Sequence, residues 1–252
     1  MCKKKCKAAV DRLRRGHKGP GPPNIWSDCQ DLLDHGYDRN GTYQIRPNNT
    51  RDHFPVLCEF SHHKAWNLIQ KRVGGFVDFY KNWEDYKNGF GNLAGEFWLG
   101  NEKIHLITNQ ASYKLGIDMW DWRDMNDPKD VSRYYFSESA FFRIDNESMF
   151  YQLHVPEDYY EYSGFGGSGL RVHAGSFVTW DKMPPEMRVN CAVQFHCGWW
   201  FSTCVRNANF NGRYYNGGYK DPQKRTRAPD DIYWPNIDQS LRKVILKLQR
   251  ND

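Results

Sequence analysis

No run in this 252-residue sequence approaches the ~18 consecutive apolar residues that a membrane-crossing helix needs, so no membrane span is expected. None of the seven cysteines falls into a CxxC pair or a cysteine–histidine spacing of the zinc-binding kind, which sets aside a structural zinc site. Internal repeats are absent. An excess of basic residues is also absent once the first 18 residues are set apart. Those hold eight lysines and arginines against Asp11 alone, a charge of +7, while the whole chain carries +5. The remainder is therefore at −2, which excludes a domain-wide nucleic-acid surface. The opening Met1-Cys2-Lys3-Lys4-Lys5-Cys6 lacks the apolar stretch of a signal peptide. If the protein is secreted, this chain is expected to be a mature form or a fragment.

Aromatic residues are plentiful, with ten Trp, fifteen Tyr and fifteen Phe, and glycine is plentiful at 21. That mixture favours antiparallel strands and loops over helical bundles. The densest cluster runs from Cys191 through Phe195, His196, Cys197, Trp199, Trp200 and Thr203 to Cys204. Twelve residues lie between Cys191 and Cys204, and a bridge across a loop of that size is worth about 3 kcal/mol. Two readings stand: an aromatic-walled recognition loop, or core tryptophans locked by a structural disulfide. Disulfides in an oxidising compartment suit the cysteine set. Three N-glycosylation sequons, at Asn40, Asn48 and Asn146, agree with an extracellular location.

Residues 1–24 read as a basic, cysteine-containing tail and linker, and 25–252 as one domain. Cys2, Cys6, Ala9 and Leu13 step as a short heptad seam, either the stub of a coiled coil that cross-links neighbouring chains or a frayed tail. The linker GHKGPGPP breaks both helix and strand. Ser27 or Asp28 caps a short helix through Leu33. Strands are expected over 41–47, 56–60 and 65–73, and Cys29 and Cys58 can then staple the helix to the second of them. Helical spacing runs from Phe79 to Phe90 and stops at Asn88-Gly89, and a further helix follows over 101–107. Residues 115–122 and 142–153 look strand-like with a polar loop between them, 156–169 look irregular, and 241–248 form a closing strand. The sum is an α+β domain with a central antiparallel sheet, short helices and a loop-rich C-terminal part.

Taken together, these stretches resemble the fibrinogen C-terminal, or fibrinogen-related, domain family, and its ficolin/tachylectin-like branch in particular. The resemblance is carried by Cys29-Gln-Asp-Leu-Leu, Gly41-Thr-Tyr-Gln-Ile-Arg-Pro, Val56-Leu-Cys58-Glu, Val77-Asp-Phe-Tyr, and Gly95-Glu-Phe-Trp-Leu-Gly-Asn-Glu-Lys-Ile-His105. Trp199-Trp200 and Asn209-Phe-Asn-Gly-Arg-Tyr214 extend it, so that the motifs run in order from about residue 25 to residue 249. It implies disulfides Cys29–Cys58 and Cys191–Cys204, an extracellular location and recognition rather than catalysis. In the lectin branch it also implies a calcium ion beside a pocket for acetyl groups, shaped by a cis peptide whose counterpart here is Thr203–Cys204.

The chain departs from that pattern where the lectin chemistry resides. The family's calcium loop, Asp-x-Asp-Asn-Asp, aligns with Asp181-Lys182-Met183-Pro184-Pro185-Glu186, in which only Asp181 survives. A thioether and an ammonium are poor company for a hard cation, so no cofactor is expected and the calcium site is degraded. Phe195 and Val205 stand where the lectins place a phenol and a histidine. Ligand-binding candidates are therefore Phe195, Trp199, Trp200, Thr203, Val205, Tyr214 and Tyr219, with Tyr214, Tyr215 and Tyr219 either pocket walls or surface tyrosines. Cys197, at a position usually held by glycine, is a buried thiol or a link to Cys2 or Cys6, in this chain or in another, the latter giving a disulfide-linked homo-oligomer. Neither the adjacent His196-Cys197 pair nor the aspartates at 118, 121, 124, 127 and 130 make a convincing active site, so no enzyme is expected. The expected function is a secreted lectin-like binder of glycans or of a cell-surface glycoprotein in innate defence. The alternative is a protein-binding fibrinogen-like domain without lectin activity.

Overall fold

The computed structural model describes residues 26–61, 63–122, 131–156, 175–201, 203–204, 208–217, 228–235, 237 and 239–251. Its frame is one large antiparallel sheet. Strands β1 (Gly41–Ile45), β2 (Phe54–Ser61) and β3 (Lys64–Arg72) form a meander, with His63 at φ 64° taking the left-handed position of the β2–β3 turn. Beyond β3 the order is β12 (Lys243–Arg250), β6 (Tyr113–Trp120) and β7 (Tyr134–Ser139). The short β4 (Phe90–Gly91) and β5 (Phe97–Trp98) extend the sheet from the far half of β3.

The closing strand is thus inserted between β3 and β6, at the centre of the sheet. Val244, Leu246 and Leu248 fill one face, and Ile245, Lys247 and Gln249 lie on the other, none of the six more than 7% exposed. Lys247 is tolerated there because its ammonium bridges Asp118 at 2.5 Å and Glu59 at 3.1 Å.

Helix α1 (Cys29–Asp34) starts where Asp28 accepts the Asp31 N–H at 2.8 Å, and the Cys29–Cys58 bridge ties it to β2. The helical spacing of 79–90 yields only α2 (Trp83–Asn88), because Asn82 caps it and Phe79 is drawn out of register beneath the Arg72 guanidinium, 3.9 Å from its ring centre. Helix α3 spans Asn101–Thr108. The strand-like stretch 142–153 is in fact two pairs of residues, β8 (Arg143–Ile144) and β9 (Leu153–His154), around a 3-10 turn at Glu147–Met149. The polar loop expected before it contains β7. Two aspartates of the series at 118–130 are structural: Asp121 accepts the Tyr135 hydroxyl at 2.7 Å, and Asp118 pairs with Lys247. Asp124, Asp127 and Asp130 lie outside the described residues.

The C-terminal subregion contains β10 (Ser176–Val178) paired with β11 (Trp199–Phe201), and α4 (Cys191–Phe195). It joins the sheet through aromatic packing of Tyr86, Trp98, Phe177 and Trp200. Among the described residues no helix is long and apolar enough to cross a membrane.

Candidate functional site

The frame of the site is α4 with the Cys191–Cys204 bridge. Asn190 accepts the N–H groups of Ala192 and Val193, and its amide donates to the Thr179 and Trp180 carbonyls at 3.0 Å each. One side chain thus caps the helix and fastens it to the turn that carries Asp181. At the other end His196 stops the helix at φ 52°. Gly198 follows for want of space: a Cβ there would lie 2.4 Å from the Tyr86 ring.

Three of the seven candidates expected to line a pocket on this frame are inside it. Trp199 and Trp200 are 1% and 2% exposed. The Trp200 indole donates to the Tyr151 carbonyl at 2.8 Å, and Trp199 packs on Trp98 and Phe210. Phe195 stacks on Phe201 at 5.5 Å and is likewise buried. These three are core residues, packed against Trp98, Phe201 and Phe210 and, through Trp200, hydrogen-bonded to Tyr151. Thr203 is exposed and Cys204 half-buried. No cis peptide occurs among the described residues, so the Thr203–Cys204 bond is trans. Tyr214 is half-buried, its hydroxyl donating to the Arg242 carbonyl at 2.9 Å, and Tyr215 donates to Asp230 at 2.8 Å. Val205, Tyr219, Cys2 and Cys6 lie outside the described residues. Asn40, Asn48 and Asn146 are all exposed.

The aligned calcium loop is occupied by the chain's own groups. The Asp181 carboxylate accepts the Trp83 N–H at 3.0 Å, at the start of α2, and the Thr179 hydroxyl at 2.7 Å. Lys182 reaches across the Trp83 ring, 4.1 Å from its centre, to Glu147 at 3.2 Å. Lys87 holds the same carboxylate at 2.6 Å, and the Trp83 indole donates to it at 2.8 Å. The Lys87 hydrogen bond first, then that of Trp83, pulls the Glu147 pKa to about 2. Met183 packs against the core and Pro184 is buried. Calcium takes roughly six to eight oxygen ligands. One engaged aspartate beside an ammonium and a thioether does not fit that shell.

Beneath the frame lies a buried polar network. Gln70 donates to the Phe210 carbonyl and to Asn211, and Arg72 donates to the carbonyls of Phe210 and Gly212. Asn211 donates to the Gly198 carbonyl, and the Cys197 thiol to Asn209 at 3.3 Å. Burial, opposed by the Glu96 carboxylate, brings the Arg72 pKa down to about 10, and burial pushes the Cys197 thiol up to about 12. Cys197 is thus a buried free thiol, and the motif Asn209-Phe-Asn-Gly bolts the C-terminal subregion to β3. His196 stacks instead on Tyr80, and the thiol's hydrogen-bond partner is Asn209 rather than the imidazole.

The residues that the sequence reasoning missed lie on the outside of the same frame. Trp180 is 45% exposed, with the Tyr80 ring 6.4 Å away, and Tyr80 stacks on His196 at 3.8 Å. Burial, then the Arg213 charge, lowers the His196 pKa, so the ring is neutral at pH 7. Val189, just before α4, and Val193, within it, are also exposed by more than half. The result is a set of exposed and half-buried apolar and aromatic side chains on a frame anchored by a disulfide and a two-ended Asn190 clamp.

The chain matches the family model described as "Fibrinogen beta and gamma chains, C-terminal globular domain" over residues 25–251. It is 37% identical to human angiopoietin-related protein 2 over 91% of this chain and 44% of that protein. It is 34% identical to human fibrinogen-like protein 1 over 92% of this chain and 74% of the relative. Its fold superposes on the fibrinogen-like globe domain of human ANGPTL2 with a TM-score of 0.78 at 36% identity, covering 90% of this chain and all of that one. Lamprey fibrin D-dimer complexed with the peptide ligand Gly-His-Arg-Pro-amide gives a TM-score of 0.74 at 28% identity, over 99% and 84% of the two chains. These relatives are angiopoietin-related and fibrinogen-like proteins, which replaces the expected ficolin and tachylectin branch. The chain spans less than half the length of the angiopoietin-related protein 2 that it matches.

Proposed function

The chain belongs to the fibrinogen C-terminal domain family, and from that premise we propose that it is a secreted, non-catalytic domain that binds a protein partner at a cell surface. The observation that carries this reading is the conversion of the lectin frame. The Asp181 carboxylate is engaged by the Trp83 N–H and the Thr179 hydroxyl, and Glu147 by Lys87, Trp83 and Lys182, where calcium chemistry would need open oxygens, and Phe195, Trp199 and Trp200 are core. What the frame presents outward is Trp180, Tyr80 and His196 with Val189 and Val193, a surface of the aromatic and apolar kind that anchors protein interfaces. The fibrin relative with a bound peptide supports the same use of the fold. Among the described residues a glycan-binding function has no comparable set of open polar groups behind it, and no role is assigned to calcium.

Binding of the fluorescently labelled domain to a panel of cells tests this. Protease treatment of the cells should abolish binding, while glycosidase treatment, EDTA and N-acetylated sugars should leave it intact. Trp180→Ala should weaken it by about 2 kcal/mol, the loss of a central aromatic anchor. Binding that disappears with EDTA or glycosidase and survives protease contradicts the proposal.

A further inference from the structure

Strand β1 is an edge of the large sheet. Among the described residues it pairs with β2, and a parallel bridge from Trp26 to Ile45 covers its last residue. Pro55, opposite Gln44, has no N–H, so the ladder to β2 is made by Gly41, Tyr43 and Ile45. Thr42 and Gln44 therefore turn their backbone groups outward. Arg46, next in that phase, confirms the direction by donating its N–H to the Trp26 carbonyl at 2.7 Å. The strand GTYQI carries no charge, and the side chains of Thr42 and Gln44 are exposed. Among the described residues this edge is uncharged and its outward backbone groups at Thr42 and Gln44 are unpaired, and such an edge is a template on which a second chain adds a strand.

The two ends of that edge are the two sequons. Asn40 immediately precedes β1, and Asn48 follows it in the turn closed by the Thr50 N–H on the Pro47 carbonyl. Asn40 Oδ1 accepts the Phe60 N–H at 2.7 Å, continuing the β1–β2 ladder by a side chain. Its Nδ2 has no partner among the described residues. Asn48 is held through its backbone, which donates to Gln110 at 2.9 Å, and its side chain is exposed. Five residues of strand span about 17 Å, so a sugar chain at each end has only half of that to cover.

We propose that Asn40 and Asn48 each carry an N-linked oligosaccharide, and that the pair shields the open edge of β1 from strand addition by a second copy of this chain. In the transfer, Nδ2 attacks the anomeric carbon of an oligosaccharide carried on a lipid diphosphate. The carbon–nitrogen bond forms, the carbon–oxygen bond to the diphosphate breaks with its electron pair, and Nδ2 gives up one proton. Oδ1 takes no part, so the bond from Phe60 survives the modification. The proposal rests on passage through a secretory compartment and is independent of what the aromatic surface binds.

The test uses the full chain secreted from eukaryotic cells. Peptide mapping after enzymatic glycan release, which leaves Asp at each occupied Asn, should mark residues 40 and 48. Thr42→Ala and Thr50→Ala each remove one acceptor while keeping both asparagines, and each should lose one glycan. Sedimentation under reducing conditions should show one species for the wild type at all concentrations. The enzymatically deglycosylated wild type and the doubly substituted chain should both shift to larger species as concentration rises. Adding Gln44→Lys, a charge on the open edge, should reverse that shift. Unmodified Asn40 and Asn48 in the secreted protein would overturn the site. Deglycosylated protein that sediments like the wild type at every concentration would overturn the shielding.

Discussion

At the scale of single residues, the site is defined by where carboxylates spend their lone pairs. Asp181 gives its oxygens to the Trp83 N–H and the Thr179 hydroxyl, so it acts as a cap for α2 rather than as a ligand. Asp181→Ala should lower unfolding stability by about 1–2 kcal/mol, equally with calcium and with EDTA, as read from urea melts in the two buffers. Glu147 is held by Lys87, Trp83 and Lys182, which depress its pKa to about 2 from an ordinary 4.5. A depressed carboxylate contributes stability above its unfolded value and loses it as pH falls through the folded one. The urea midpoint should therefore drop between about pH 4.5 and 2, and Glu147→Gln should flatten that part of the profile. Asp181 was legible as the lone survivor of its loop. The lysine–glutamate cluster around it was not, because Lys87, Glu147 and Lys182 are brought together by folding over sequence distances that no local pattern encodes.

At the scale of elements, the segments that local chemistry determines were readable and the rest were not. Asp28 announces α1, Pro47 follows the end of β1, and Asn88-Gly89 stops α2, each through a backbone preference acting within a turn. The helix expected from Phe79 onward fails because a tertiary contact, Arg72 on Phe79, outbids the helical spacing. Strand β7 went unread since its alternation, exposed then buried, is interleaved with serines and glutamate. The Cys191–Cys204 bridge clamps the two ends of the α4–β11 segment. Replacing both cysteines by alanine should cost about 3 kcal/mol, measurable as a lower urea midpoint. Buried Cys197 should stay unreactive to thiol reagents until the chain unfolds.

At the scale of the whole molecule, the fibrinogen-like architecture was legible because its motifs run in order along the chain, and the branch was not, because branches differ in what one loop does with one frame. The aromatic core fixes the frame and the Asn209–Asn211 network bolts it to the sheet. Function is then decided by which side chains close it and which remain outside. Phe195, Trp199 and Trp200 close it, while Trp180, Tyr80, His196, Val189 and Val193 remain outside. We therefore propose that the region which serves an ion and a sugar in the lectins is closed in this chain by its own side chains and carries a protein-recognition surface. Isothermal titration of the domain with calcium, followed by N-acetylglucosamine in the same cell, tests it most directly. The account predicts no saturable heat from either addition. A saturable calcium isotherm, or a sugar isotherm that appears only after calcium, would contradict it.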